Sequence, residues 1–156
     1  MKAKPVFLIS LIILIICTYL LASGSDILGK SLIKGQNLPV GTLVAWAGLV
    51  SLPLTFYAGM SKVKRTFTSA RKIFRYAIMV FVILAALWGP VSYLLAGNWS
   101  FTFEQQAGFR GSIKASGYFW KYTIIIVVLT LVFMLFYFLY MLTEKQREKI
   151  KDKNID

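Results

Sequence analysis

Four stretches of this chain run for 17 to 21 residues without a single Asp, Glu, Lys or Arg. They are 6–22, 40–60, 77–96 and 122–142, and each is built mainly of Ile, Leu, Val, Phe, Ala and Tyr. About 20 consecutive apolar residues are what a helix needs to cross a hydrocarbon layer roughly 30 Å thick. In lipid a chain has no water to satisfy its backbone, so a spanning segment of this length is helical. The reading that follows is an all-α integral membrane protein, a four-transmembrane-helix bundle forming one membrane domain over 1–156.

Composition supports the same class. Hydrophobic residues make up 58% and charged residues 15% of the chain, and the mean hydropathy is +0.68. Soluble domains run nearer half apolar and a quarter charged. The net charge of +12 would suggest nucleic acid in a soluble protein. In a membrane protein cations are placed by topology, so no direct nucleic-acid contact is inferred from it.

The cations divide unevenly. With the N-terminus inside, the inner side carries Lys2 and Lys4, six residues of the basic loop 61–75, and five of the tail 143–156. That makes 13 inside. The outer side holds Lys30, Lys34, Arg110, Lys114 and Lys121, which is 5. Short loops rich in Lys and Arg stay in the cytoplasm, so both termini are expected there, in a bacterial inner membrane. Trp99 and Trp120 mark the outer boundary and Tyr76 and Tyr140 the inner one. The first span also resembles a signal peptide, with Lys2 and Lys4 ahead of it and Ala22-Ser23-Gly24 after it. Its apolar run is long for a signal core, and it is expected to be retained.

Small residues set the expected packing. Gly41, Ala45 and Gly48 fall on one face of the second span, and Ala85, Gly89, Ser92 and Ala96 on one face of the third. Such faces let helices approach closely where lipid offers no hydrophobic drive to separate them. These two spans are expected at the centre of the bundle, with a homo-oligomeric contact as the alternative use of one small face. Pro53 and Pro90 each remove a backbone donor, and Gly89-Pro90 is the expected bend.

Three extramembrane pieces carry the candidate recognition residues. In the basic loop, Val63, Phe67, Ala70 and Phe74 recur at helical spacing among Lys62, Lys64, Arg65, Arg71, Lys72 and Arg75. This predicts an amphipathic helix at the inner surface, capped near Thr68 or Ser69 and running into the third span. It would contact anionic lipid headgroups or an acidic cytoplasmic protein. The tail pairs Glu144 with Arg147 and Glu148 with Lys151, as expected of a helical extension of the fourth span. On the outer side, Asp26 to Lys34 reads as a short interfacial helix. In the outer loop 97–121, Trp99, Phe101 and Phe103 alternate with polar residues, a strand period. A hairpin returning over Phe109 to Ala115 would present those aromatics with Arg110 and Lys114 as a recognition surface. Asn98-Trp99-Ser100 also matches a glycosylation acceptor, a pattern of low specificity.

Several functions are excluded by what the chain lacks. It has no His and one Cys, Cys17, inside an apolar run. That removes the commonest general base and metal ligand and any intramolecular disulfide, and no cofactor is implied. No carboxylate lies within a span, where ion-coupled transporters place one. Claudin-like proteins carry a Cys pair and a large first outer loop, and this chain has neither. The preferred expectation is a non-catalytic membrane subunit, an anchor, scaffold or sensor that oligomerises and recruits a cytoplasmic partner. Bacterial immunity proteins against pore-forming toxins and membrane components of anti-phage defence pairs share this broad architecture. The second expectation is a small pore or holin-like channel lined by Ser51, Thr55, Ser92 and Thr130. The third is a lipid-sensing or lipid-handling protein that uses the basic loop.

Overall fold

The chain was analysed as a computed structural model, which describes residues 3–33, 36–60, 68–99 and 110–153. Five helices account for most of it: α1 (Ala3–Ser23), α2 (Val40–Met60), α3 (Thr68–Ala86), α4 (Trp88–Ala96) and α5 (Ile113–Lys153). Four segments are long and apolar enough to cross a membrane: Lys4–Ser23, Val40–Met60, Lys72–Ala96 and Ile113–Glu144. Much of the exposed surface is apolar. Ile9, Ile12, Ile15 and Ile16 of α1 and Leu135, Phe136, Phe138 and Leu139 of α5 are among many large apolar side chains left uncovered. A soluble monomer rarely tolerates contiguous apolar surface on this scale.

The third span differs from a straight helix. Leu87 is a turn residue between α3 and α4, so the break falls two residues before Gly89-Pro90. A proline clashes with the carbonyl four residues earlier and cannot donate to it. For Pro90 that carbonyl belongs to Ala86, the last residue of α3. Pro53 also sits inside a helix, yet α2 continues through it.

The outer-loop expectations need correction at two places. Asp26–Gly29 is a 3-10 turn, followed by two short antiparallel strands, β1 (Ser31–Ile33) and β2 (Gln36–Pro39). Ser25 Oγ accepts from the Ile27 amide, the Lys30 amide returns to Ile27 O, and Val40 N donates to Lys30 O at 2.9 Å. The ladder satisfies backbone groups that a helix of a few residues would leave open. Among the described residues the fold is therefore helical apart from this hairpin. The second correction concerns the return strand over Phe109 to Ala115. Ile113 onward is helical, because Ser112 caps α5: its Oγ accepts from Ala115 N at 3.2 Å and its carbonyl from Ser116 N at 2.9 Å. The Trp99 to Glu104 alternation lies mostly outside the described residues.

The helix α2 packs against α1, α3, α4 and α5. Two buried clusters form around it. One, nearer the hairpin, gathers Ala85, Trp88, Ala96, Phe119 and Ile126 with Trp46 and Tyr122 against them. The other, nearer the end where the chain begins and finishes, gathers Met60, Ile78, Phe81 and Tyr137 with Phe56, Phe74 and Phe133. This second end is the basic end, where Lys72, Arg75 and the tail lie.

Candidate functional site

At the basic end α3 is helical from Thr68, while the earlier part of the expected amphipathic helix, with Val63 and Phe67, falls outside the described residues. Phe74 turns inward and meets Phe133, Tyr137 and Tyr140 of α5 at ring-centroid distances of 6.4, 5.4 and 6.0 Å. Lys72 and Arg75 face outward. Arg75 is fixed from behind: its Nη2 and Nε donate to Tyr57 Oη at 2.7 and 3.0 Å, and its guanidinium lies 5.1 Å from the Tyr57 ring centroid. Arg71 lies on the same helix, while Lys62, Lys64 and Arg65 fall outside the described residues. Beside this turn α5 continues past the apolar run without a break. Its 41 residues span about 60 Å at 1.5 Å per residue, close to twice a hydrocarbon thickness of roughly 30 Å.

At the hairpin end the outer loop is pinned where it leaves the bundle and where it returns. Thr42 Oγ1 donates to the Trp99 carbonyl, and the Trp99 ring lies 4.8 Å from that of Tyr93. Gly97 closes α4 with φ +74° and donates to Tyr93 O at 2.8 Å. That left-handed residue has no Cβ to collide with Arg110, whose own Cβ would be 3.0 Å from it. Arg110 N in turn donates to Ala96 O at 2.8 Å. Trp99 and Arg110 are thus brought together at one helix end. Lys114 stands exposed on the first turn of α5, and Phe101 and Phe103 lie outside the described residues. Asn98 is 6% exposed, so the glycosylation match points inward.

The centre of the bundle holds residues that the sequence reading missed. Three carbonyls at the break in the third span accept side-chain donors. Trp46 Nε1 donates to Ala85 O at 3.1 Å and Ala86 O at 3.0 Å, and Tyr122 Oη donates to Leu84 O at 2.7 Å. In hydrocarbon an unsatisfied carbonyl costs several kcal/mol, so these side chains make the break tolerable. Gly89 admits the indole: a Cβ there would come within 2.8 Å of the Trp46 ring. One signal in the sequence could have found Trp46, since a tryptophan within a span needs an acceptor and Pro90 leaves one.

The small-residue face of the third span is filled within the chain, and that of the second in part. Gly89 receives Trp46, and Gly48 packs against Cys17 of α1, where a Cβ would lie 3.1 Å from that of Cys17. Gly41, Ala85, Ser92 and Ala96 are buried, and Ala45 is half-buried. The hydroxyls suggested for a pore turn onto their own helices. Thr55 donates to Ser51 O, Ser92 to Gly89 O and Thr130 to Ile126 O, and Ser51 is itself buried. Among the described residues no three His, Cys, Asp or Glu side chains are grouped to hold a metal.

Comparison with protein-family models, with curated proteins and with solved structures returned no match to this chain.

Proposed function

We propose that the chain is a non-catalytic integral membrane subunit, an anchor, scaffold or sensor, whose basic end recruits an acidic soluble partner. The observation that carries this reading is the unbroken continuation of α5 past its apolar run, beside the outward-facing Lys72 and Arg75. The last 11 residues of that helix extend about 16 Å further. A helix held out in this way, next to an Arg75 guanidinium held by Tyr57, is a preorganised docking platform. The 13-to-5 division of cations supports an orientation with both termini in the cytoplasm of a bacterium. Membrane immunity or defence pairs are the setting proposed, on likeness of architecture. Self-association would use faces other than the small-residue face of the third span, which neighbours within the chain fill.

A pore is the weaker reading, because the hydroxyls of Thr55, Ser92 and Thr130 are spent on backbone carbonyls and the residues are buried. The test is exchange of Arg71, Lys72 and Arg75 to Gln in the full chain. Reporter fusions at Asp156 should still lie in the cytoplasm, while an acidic protein that co-purifies with the unaltered chain should be lost. Full retention of that protein would overturn the reading, and currents across vesicles containing the purified chain would favour the pore.

A further inference from the structure

A cleft of about 510 Å³ opens on the side of the bundle between α1 and α5. Cys17 and Leu21 form one wall, Trp120 and Val127 the other, and Ala45, Gly48 and Trp88 lie at its floor. It exists because α1 leans on α2 and leaves a wedge toward α5. Its lining is apolar even where polar atoms are near: Trp88 Nε1 donates to Thr123 Oγ1 at 2.8 Å, and Thr123 Oγ1 donates to Phe119 O at 2.9 Å. The ring therefore presents carbon to the cleft.

Length and charge narrow the occupant. The lining residues on α5 run from Trp120 to Leu131, about 16 Å along a helix axis. That is the depth of one leaflet, roughly half of a 30 Å hydrocarbon layer. Along that depth the lining carries no charged side chain, which suits one alkyl chain. Its mouth lies at the hairpin end, level with Trp120, whose half-exposed indole can donate to an ester carbonyl. The charge there is one-sided. Lys30, Arg110, Lys114 and Lys121 are exposed against Asp26 alone among the described residues at that end.

We propose that this cleft binds one acyl chain of an anionic phospholipid from the leaflet at the hairpin end, with its phosphate held near Lys121 and Lys114. The site is separate from the basic end and rests only on the chain spanning a bilayer.

The probes are dioleoyl phosphatidylglycerol and dioleoyl phosphatidylcholine. Native mass spectrometry of the full chain released from vesicles holding both should give one retained phosphatidylglycerol per chain. Ala45→Phe, which fills the floor, should reduce that adduct at least tenfold, and Lys114→Gln with Lys121→Gln should abolish the preference over phosphatidylcholine. A second measurement needs no variant. Phosphatidylglycerol brominated in mid-chain should quench the tryptophan emission of the unaltered protein at a mole fraction at which brominated phosphatidylcholine does not. Equal quenching by the two lipids would overturn the proposal, as would an undiminished adduct in a folded Ala45→Phe chain. A dimer that Ala45→Phe dissolves would assign the cleft to a second copy. Release of the protein from membranes by alkaline carbonate would overturn the bilayer reading and the site with it, whereas the loss of lipid selectivity alone leaves the basic end untouched.

Discussion

The two buried clusters of the bundle are held by different chemistry. Near the hairpin, Trp46, Tyr122, Trp88 and Thr123 surround the break in the third span with directed hydrogen bonds, three of them onto backbone carbonyls. Near the basic end, Phe56, Phe74, Phe81, Phe133 and Tyr137 meet edge to face, with interplanar angles of 71° to 82°, around unbroken helices. Ring contacts of this kind are worth about 0.5–1.5 kcal/mol each beyond burial and tolerate small shifts. A capped carbonyl in hydrocarbon does not, since its alternative is no partner at all. The first cluster is therefore brittle and the second forgiving.

The contrast can be broken most directly at Trp46. Trp46→Ala empties a ring site and strips the donor from Ala85 O and Ala86 O, and should cost about 4 kcal/mol in reversible unfolding from mixed micelles. Phe74→Ala, at a half-buried ring, should cost about 2 kcal/mol in the same assay. Equal losses would erase the distinction. Gly89→Ala comes next, at about 1–3 kcal/mol of overpacking against the indole. In a Trp46→Ala background the same change should cost almost nothing, because the atoms it strikes are gone. A full cost there would place the strain elsewhere. The smallest effect is expected from Thr123→Val, which takes the acceptor from Trp88 Nε1 and should lose about 1 kcal/mol, in line with interhelical hydrogen bonds in membranes. A shift of Trp88 emission should accompany it.

Where the helices lie was legible because absence of charge is a local property. The second span was read as 40–60 and is Val40–Met60. The fourth apolar span was read as 122–142, and the helix that holds it starts earlier, at the Ser112 cap. The outer turn was misread for a related reason. Ile27, Leu28, Leu32 and Ile33 have a helical spacing, yet strand pairing with Gln36–Pro39 satisfies more backbone. At the candidate sites, the inward turn of Phe74 followed from periodicity. The hold of Tyr57 on Arg75 did not, since the two stand 18 residues apart. Nor did the cleft, which is made by four helices and belongs to no one segment.

The length of α5 makes it a lever. It is clasped near its middle by the aromatic rings and is free of interruption from Ile113 to Lys153. A stiff rod of about 60 Å, pivoting by roughly 5° at its midpoint, swings each tip by about 3 Å in opposite directions. Whatever tilts its first turns is thereby reported, by geometry alone, to the charged turns at the other end.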